Sequence, residues 1–310
     1  MNSFFSDEHE MLMLVDAHAI IYRAYFALPP TLTTPEGMLV NAAFGFTRIL
    51  LTAIRDMKPT YLSVVFDHPD PTFRHKEFKD YKAHREKMPD DLIPQISVTK
   101  EIVKSLNIPQ FEVASFEADD LIGTLSQQSD KKTVIVTGDQ DMFQLVNDKI
   151  HVWLPPRGKY PANEYDKEGV YKKLGVYPKQ VIDMKALMGD SSDNIPGIRG
   201  IGPKSAVALL QEFKTLDGVY QAVDEFEKHS HILKGAFLKK LQGGKDIAFL
   251  SQKLATIDQA APIKLDLKSC KVTGYSKAEV VKLFQKLEFR SLVKFLPNDE
   301  FETSIQNSLF

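Results

Sequence analysis

Short apolar runs that end at acidic residues are the feature that most constrains how this chain can fold. The runs at 12–15, 61–66 and 133–138 stop at Asp16, at Asp67 and just before Asp139. Short apolar runs separated by helix-like stretches are typical of buried strands in a parallel sheet. The carboxyl ends of such strands gather around one crevice. We therefore expect these carboxylates to meet in space, although they lie far apart in the sequence.

A fourth run, at 111–113, is followed within a few residues by Glu117, Asp119 and Asp120. Helical spacing of apolar residues at 17–28, 40–57, 92–106 and from 117 separates the four runs. This alternation predicts an α/β architecture with a mainly parallel central sheet flanked by helices. Beyond about residue 164 the strand signals fade and helices are expected. The predicted organisation is an α/β domain over 11–175, a helical part over 176–296 and a flexible tail over 297–310.

Composition limits the classes of protein that remain. The 310 residues are 43% hydrophobic, which is enough to bury a sizeable core. The net charge of −2 excludes a simple polycation, so any contact with nucleic acid must come from local basic patches. Cys270 is the single cysteine, which excludes an internal disulfide. The sequence has no signal peptide and no apolar run near the ~20 residues of a membrane span, so we expect a cytoplasmic protein.

So many carboxylates in one place repel one another unless cations lie between them. Ligands that are all oxygen favour Mg²⁺ or Mn²⁺ over zinc. Two such ions about 4 Å apart suit hydrolysis of a phosphodiester. Each acidic cluster also has an ordinary explanation. Residues 117–120 suit the start of a helix, residues 138–141 could form a turn, and the segment 189–194, with Asp190 and Asp193, could be a polar loop.

The segment 73–87 is basic, with six Lys or Arg residues against three acids. Lys79, Lys82 and Arg85 recur every three residues and would share one broad face of a helix. This pattern predicts a helical arch over about 70–92 that contacts phosphates, with Tyr81 available to stack on an unpaired base. A solvated surface helix is the alternative.

A second candidate for binding nucleic acid is the glycine-rich segment 194–205. Gly197, Gly200 and Gly202 allow a tight turn, and Pro203 suits the first position of the helix that follows. The free N–H groups at the start of that helix, with Lys204 beside them, form a phosphate site that is insensitive to base identity. A plain turn between helices is the alternative.

Together these motifs resemble a known family. They are DAHAIIYR (16–23), FDHP (66–69), FRHK (73–76), YKAHR (81–85), EADD (117–120), TGDQD (137–141), GDSSDNIPG (189–197) and GIGPK (200–204). Their order is similar to that of the 5′→3′ exonuclease domain of bacterial DNA polymerase I, a relative of the flap endonucleases. The resemblance runs from about residue 11 to 296, and no acidic position departs from it.

The resemblance implies a role for each group of residues. The first metal site would comprise Asp16, Asp67, Glu117, Asp119 and Asp120, and the second Asp139, Asp141, Asp190 and Asp193. Lys82 and Arg85 would hold the scissile phosphate. DNA contacts would come from Arg23, Arg74, Lys79, Tyr81 and the glycine hairpin with Gly197, Gly200, Gly202 and Lys204. A helix–hairpin–helix over about 178–213 would grip the duplex and could bind K⁺ through backbone carbonyls.

The expected function is therefore that of a structure-specific 5′ nuclease that depends on two Mg²⁺ or Mn²⁺ ions. Its substrates would be DNA with a 5′ flap or 5′ end and RNA–DNA primer junctions, in primer removal, Okazaki fragment maturation and repair. A monomer associated with the nucleoid is expected. The alternatives are a non-catalytic protein that binds DNA junctions and a ribonuclease on a related fold.

The end of the chain carries two further expectations. A polymerase I would continue for several hundred residues, whereas this sequence stops at Phe310, so we expect a stand-alone nuclease, with a truncated fragment as the alternative. The last five residues, with Gln306, Leu309 and Phe310, resemble the short peptide that binds bacterial sliding clamps. A chance match is the alternative for so short a segment.

Overall fold

The architecture is a six-stranded sheet with helices on both faces, in a computed structural model that describes residues 10–298. The strands are β1 (Met11–Asp16), β2 (Tyr61–Val65), β3 (Gln110–Phe111), β4 (Lys132–Val136), β5 (Ile150–Leu154) and β6 (Asn163–Tyr165). Their order is β3-β2-β1-β4-β5-β6, and only β5 and β6 pair antiparallel. This confirms the predicted mainly parallel sheet. The sequence analysis missed β5 and β6.

The order of the strands reverses between β1 and β4. From β1 the chain moves outward through β2 to β3, and it then returns to add β4 on the other side of β1. Such a reversal is the switch point at which ligands bind in open α/β sheets, outside the carboxyl ends of the strands. Asp16 is the last residue of β1, and Asp139 follows β4 by three residues. Both carboxylates therefore lie at the switch point.

Helices occupy most of the remaining described chain. They are α1 (Ala17–Ala27), α2 (Asn41–Met57), α3 (Phe73–Glu77), α4 (Ile93–Ser105), α5 (Ala118–Gln128), α6 (Lys167–Leu174), α7 (Val181–Met188), α8 (Pro203–Phe213), α9 (Leu216–Asp224), α10 (Gly235–Gly243), α11 (Lys245–Ala255) and α12 (Lys277–Lys286). Four of them, α1, α2, α4 and α5, confirm the helices predicted in the first half of the chain. No helix among the described residues is long and apolar enough to cross a membrane.

The sheet is buried on both faces. Along β1, Leu12 and Leu14 belong to one core cluster, whereas Met13 and Val15 belong to the other. Helices α1, α2 and α4 cover the second cluster, and α5 with the helical part covers the first. Two covered faces explain why the strands read as continuous apolar runs instead of alternating ones.

The last helix differs from its predicted place. The sequence analysis assigned it to the helical part, but α12 packs on the α/β domain against α4, and the turn at Arg290–Phe295 packs on α2. Phe284 and Phe289 are fully buried in the core that contains α1 and α2. The chain therefore returns to its first domain after the helical part.

The basic segment is not the single helix whose face the sequence predicted. Helix α3 ends at Glu77, and the chain continues in turns through Arg85, with Lys82 at a positive φ of 56°. The reason is packing, because Phe78 and Tyr81 turn inward to a small cluster with Ile195. Lys79, Lys82 and Arg85 therefore do not share one helical face.

Close contact between α1 and α2 generates a prediction about stability. A Cβ on Gly45 of α2 would lie 2.5 Å from the Cβ of Ala24 on α1. We expect Gly45→Ala to destabilise by about 1–3 kcal/mol, which lowers Tm by roughly 3–10 °C. Helix propensity alone would give the opposite sign. Thermal unfolding followed by circular dichroism measures the shift.

The matched control is Gly243→Ala at the end of α10, where an added Cβ meets nothing within 4 Å. Its Tm should stay within about 1 °C of the parent, as expected for a surface change. An unchanged or raised Tm for Gly45→Ala would contradict the packing argument.

Candidate active site

Carboxylates from separate segments of the chain line two adjoining cavities at the carboxyl ends of the strands. The first cavity is bordered by Asp16, Asp67, Glu117, Asp119 and Asp139. The second is bordered by Asp139, Asp141 and Asp190. Asp139 therefore borders both cavities. The predicted meeting of distant carboxylates is seen at these seven positions.

Asp16 is held by the start of α1 and by the residue that follows β4. Its Oδ1 accepts a hydrogen bond from the amide of Ala19 at 3.1 Å, and its Oδ2 accepts one from Oγ1 of Thr137 at 2.7 Å. Burial, and then the charge of Asp67, raise the pKa of Asp16 to about 7. The fold therefore holds a carboxyl group in a place that disfavours its charge.

Asp67 is oriented by two neighbours. Its Oδ1 accepts a hydrogen bond from the amide of Ala118 at 2.7 Å, and its own amide donates to Nδ1 of His18 at 3.0 Å. Because Nδ1 accepts this hydrogen bond, His18 is neutral. Burial lowers the pKa of His18, which favours the same neutral form. The backbone and side chain of Asp67 are thus both fixed at the border of the first cavity.

Asp119 and Asp141 show the same unfavourable environment as Asp16. Burial, followed by the charges of Asp139 and Asp16, raises the pKa of Asp119 well above its usual range. Burial, followed by Asp139, raises the pKa of Asp141 to about 7. In both cases, part of the rise in pKa comes from repulsion by neighbouring carboxylates at the cavities.

Lys185 on α7 is a site residue that the sequence analysis missed. Its Nζ donates to Oδ2 of Asp190 at 2.5 Å and also to Oδ1 of Asp141. Burial disfavours its charge, but the two carboxylates outweigh that effect and raise the pKa of Lys185. The available signal was a lysine surrounded in sequence by the apolar residues of a buried helix, such as Met184 and Leu187.

The basic segment reaches the first cavity through two side chains. Nζ of Lys82 lies 2.7 Å from Oε1 of Glu117 and 3.7 Å from Oδ2 of Asp193. Nη2 of Arg85 lies 2.6 Å from Oδ1 of Asp193. Lys82 and Arg85 both line the cavity. They are therefore placed where a phosphate beside the carboxylates would meet them.

Asp120 has a structural role instead of the metal-binding role that the sequence suggested. It is fully buried, and its two oxygens accept hydrogen bonds from Nη1 and Nη2 of Arg74 at 2.9 and 2.7 Å. Arg74 is 2% exposed, so it cannot be the DNA contact that was expected. Burial disfavours the charge of Arg74, but Asp120 outweighs this and raises its pKa. The two residues form a buried ion pair behind the site.

Tyr81 and Asp193 also depart from their predicted roles. Tyr81 is 3% exposed, and its hydroxyl donates to Glu117 at 3.1 Å and to Asp193 at 3.2 Å. A ring so buried offers no face to a base. Asp193 lies with Tyr81, Lys82 and Arg85 and borders neither cavity, although the second metal site was expected to include it. Burial disfavours the charge of Asp193, but Lys82 and Arg85 outweigh that effect and lower its pKa.

Arg23 is engaged by the protein itself. Its Nη2 donates to the carbonyls of Pro155 and Pro156, just after β5, and it lines neither cavity. Its Nη2 therefore joins α1 to the segment after β5, and the phosphate contact expected of Arg23 stays a prediction. Lys79 and Lys204 are exposed, so their DNA contacts stay predictions.

The glycine hairpin joins α7 to α8. Gly197 has a φ of 58°, and a Cβ there would lie 2.1 Å from the amide nitrogen of Gly189, so only glycine fits. Gly200 also has a positive φ, of 83°. Gly202 precedes α8, whose first residue is Pro203 as predicted. The predicted clamp peptide at Gln306, Leu309 and Phe310 lies outside the described residues.

The carboxylates that border the two cavities suit divalent cations that prefer oxygen ligands, such as Mg²⁺ and Mn²⁺. All seven acidic groups are carboxylates, and they border cavities in which Lys82 and Lys185 supply positive charge. Among residues 10–298, however, no three acidic or histidine side chains already converge on one point as a metal cage would. The carboxylates are spread, as mutual repulsion requires.

Comparison with known proteins gives the family. The family model described as the 5′-3′ exonuclease N-terminal resolvase-like domain matches residues 11–175. The model of the 5′-3′ exonuclease C-terminal SAM fold matches residues 176–278. The two matches follow one another along the chain and cover the sheet, both cavities and the hairpin.

Curated relatives include the DNA polymerases I of Bacillus subtilis and Chloroflexus aurantiacus. The first is 39% identical over 97% of this chain, and the second is 42% identical over 94%. The chain covers 34% and 31% of those proteins. It therefore spans about a third of the length of the curated relatives it matches.

Solved structures share the fold. The T5 5′-exonuclease with bound divalent metal ions (zinc) has a TM-score of 0.64 at 19% identity, over 92% of this chain and 98% of that one. The catalytic core of Rad2 in complex with DNA substrate has a TM-score of 0.62 at 20% identity, over 93% and 94%. With both family models matched in order, the chain belongs to the 5′-3′ exonuclease family.

Proposed function

We propose that this protein is a divalent-metal-dependent, structure-specific 5′ nuclease that hydrolyses phosphodiesters at 5′ flaps and 5′ ends. The observation that carries the proposal is the set of seven carboxylates around two adjoining cavities, with Lys82 and Arg85 at the rim. Membership of the 5′-3′ exonuclease family supports the same reaction.

The metal ligands we propose fall into two sets. Asp16, Asp67, Glu117 and Asp119 would hold one ion, Asp141 and Asp190 the other, and Asp139 lies between them. Asp120 and Asp193 are left out because they border neither cavity. Arg74 binds the oxygens of Asp120, and Lys82 and Arg85 bind those of Asp193. When bound, Mg²⁺ or Mn²⁺ would lower the pKa of a water and neutralise charge on the phosphate. The metal ions bound to the T5 5′-exonuclease support a divalent requirement.

Lys82 and Arg85 would bind and orient the scissile phosphate. In this structure the ammonium group of Lys82 pairs with Glu117, and the guanidinium of Arg85 pairs with Asp193. Binding of a phosphate would turn the ammonium group of Lys82 toward a phosphate oxygen, where it stabilises the negative charge that develops there. Oε1 of Glu117 would then be free to serve as a metal ligand, while its Oε2 still accepts from Arg74 and Tyr81. The basic segment thus couples substrate binding to completion of the first site.

The hairpin would hold the duplex. Gly200 and Gly202 leave the backbone exposed before α8, where N–H groups and Lys204 suit a phosphate, while the buried Gly197 fixes the preceding turn through Ser251. Backbone carbonyls of the same turn would bind the predicted K⁺. The complex of Rad2 with DNA substrate supports DNA as the partner. RNA–DNA junctions are included in the proposal because primers present the same 5′ ends.

In the cell the proposed roles are primer removal, Okazaki fragment maturation and repair, in the bacterial cytoplasm near the nucleoid. The DNA polymerase I relatives support this setting. Binding of a sliding clamp by 306–310 stays a prediction.

The test of the main proposal is product mapping on a 5′-labelled flap with and without Mg²⁺. Cleavage near the junction only with Mg²⁺ is expected. Binding without cleavage would favour a junction-binding protein, and cleavage restricted to RNA would favour a ribonuclease.

Removing one negative charge should separate binding from cleavage. We expect Asp67→Asn and Asp141→Asn to lower the single-turnover rate by ~10³-fold or more, because each removes a ligand charge. Affinity for a flap in Ca²⁺ should change by less than about fivefold, since no phosphate contact is lost. The asparagine amide introduced by Asp67→Asn keeps a carbonyl that can accept from the amide of Ala118, so the fold is retained.

The control for these variants is Asp148→Asn, an exposed carboxylate in the loop before β5, at the opposite end of the strands. It should cleave like the parent. Turnover within tenfold of the parent for either Asp67→Asn or Asp141→Asn would remove that residue from the proposed ligands.

Substitution of Lys82 should slow the chemical step. We expect Lys82→Ala to lower the single-turnover rate by ~10²–10³-fold, the usual effect of losing one donor to developing charge. Lys82→Arg should recover part of the rate because it keeps the charge. Lys76→Ala, exposed on α3 in the same segment, is the control and should be unaffected. Equal rates for Lys82→Ala and the parent would refute the role.

The raised pKa values of Asp16 and Asp141 predict how stability depends on pH. A carboxyl group whose pKa is higher in the folded than in the unfolded state binds its proton more tightly when folded. Its contribution to stability is therefore lost as pH rises from about 4 to about 7. In EDTA, we expect the Tm to fall over this range, and Mg²⁺ should cancel the loss near pH 8.

Thermal unfolding between pH 5 and 8, with and without Mg²⁺, measures the effect. The double variant Asp16→Asn/Asp141→Asn should show a smaller fall of Tm with pH in EDTA and a smaller response to Mg²⁺. If the parent and the double variant gave the same pH profile, the two carboxyl groups would not be the source.

A further inference from the structure

An exposed aromatic ring stands at the mouth of the first cavity. Phe26, near the end of α1, is 73% exposed, the highest value among the large hydrophobic residues of the described chain. The rings of Phe26 and Tyr25 make an edge-to-face contact, with centroids 5.1 Å apart at 84°. The hydroxyl of Tyr25 donates to Oδ1 of Asp91 at 2.8 Å, which fixes that neighbouring ring. Phe26 therefore presents apolar ring surface to water beside a fixed aromatic neighbour.

The position of Phe26 distinguishes it from a scattered surface residue, which would need no explanation. Phe26 lines the same cavity as the carboxylates, together with Arg85 and Lys87 of the basic segment. It follows Asp16 by ten residues, so it lies about 15 Å along α1 from the carboxylates. An apolar ring and two cations, with Glu86 between the cations, thus border the cavity that contains the carboxylates. Arg85 also pairs with Asp193, and Lys87 pairs with the exposed Asp90.

We propose that Phe26 stacks on an unpaired nucleobase of the 5′ strand while Arg85 and Lys87 face the phosphates of that strand. The proposal rests on the proposed function and names the feature of the substrate that this wall of the site recognises. Tyr81 cannot serve this purpose, because it is 3% exposed. At about 3.4 Å per stacked nucleotide, the contacted base lies roughly four nucleotides from the metal ligands.

Stacking suits a nuclease that recognises structure instead of sequence. Every base has a face that an aromatic ring can cover, so the contact is tolerant of sequence. A paired base is covered by its neighbours in the duplex, and only an unpaired base offers its face. The contact therefore selects single-stranded 5′ ends, and its loss should cost roughly 5- to 150-fold in affinity.

The experiment removes the base and the ring separately. Flap substrates carry one abasic site at each of the first eight unpaired positions, and binding is measured in Ca²⁺ for the parent protein and for Phe26→Ala. For the parent, we expect one position, near the fourth, at which the abasic site weakens binding at least fivefold. In Phe26→Ala, affinity for the intact flap should fall by a similar factor, and the abasic site should cost nothing more.

Two further variants sharpen the result. Phe26→Trp should keep both the affinity and the sensitivity to the abasic site, because indole stacks at least as well. Phe226→Ala, an exposed aromatic at the end of α9 beside a different cavity, should behave like the parent. The proposal is overturned if no abasic position affects the parent, or if Phe26→Ala keeps the same sensitivity as the parent.

The binding result with abasic flaps does not depend on whether the protein cleaves the flap. Cleavage of the intact flap by the parent in Mg²⁺ is measured alongside binding. If the parent binds flaps with a position-dependent need for a base but does not cleave, the nuclease proposal fails and the stacking contact stands. If it cleaves normally with no abasic effect at any position, the stacking contact fails and the nuclease proposal stands.

Discussion

Repulsion among carboxylates that the fold forces together is the constraint on which this site depends. The parallel strands fix the backbone at Asp16, Asp67 and Asp139, so these groups cannot move far apart. Burial and mutual charge raise the pKa of Asp16 and Asp141 to about 7. The arrangement is costly without cations. Positive charge placed among these groups would relieve that cost.

Two lysines supply part of that charge from within the chain, and they do so differently. Lys185 comes from a helix of the rigid scaffold and bridges Asp141 and Asp190. Lys82 comes from turns in the basic segment and meets Glu117. A lysine on a connecting turn can exchange a carboxylate for a phosphate more easily than one held on a helix. In the proposed mechanism, Lys82 would therefore be the residue that couples substrate binding to metal binding at the first cavity.

The buried pair of Arg74 and Asp120 explains how turns can hold Lys82 in place. Besides Asp120, the guanidinium of Arg74 donates to the carbonyls of Leu254 and Thr256, at the end of α11. Asp120 accepts in turn from the amide of Asp258 at 2.8 Å. Both partners thus have the additional hydrogen bonds that a buried ion pair requires. The start of the basic segment is fixed to α5 and to the helical part, and its later residues Lys82 and Arg85 line the first cavity.

Sequence patterns predicted the parallel sheet and the meeting of distant carboxylates, because both follow from where apolar runs end. They could not distinguish the carboxylates that border the cavities from those that pair with buried side chains. Asp119 and Asp120 are adjacent in sequence, but helix α5 directs the first to the cavity and the second to Arg74. Tyr81 and Arg74 looked like surface groups in a basic segment, yet packing buries both. Such assignments depend on tertiary contacts that no local spacing contains.

The connection between the hairpin and the second cavity shows how a duplex-binding element could set the point of cleavage. Asp190 exchanges two backbone hydrogen bonds with Ile195, and the amide of Ile198 donates to the carbonyl of Leu187 on α7. The amide of Gly197 donates to Oγ of Ser251 on α11. These bonds fix the turn relative to the carboxylates. A duplex held at the start of α8 would therefore lie at a constant distance from the metal ligands, and the distance, instead of the base sequence, would decide which phosphate is cut.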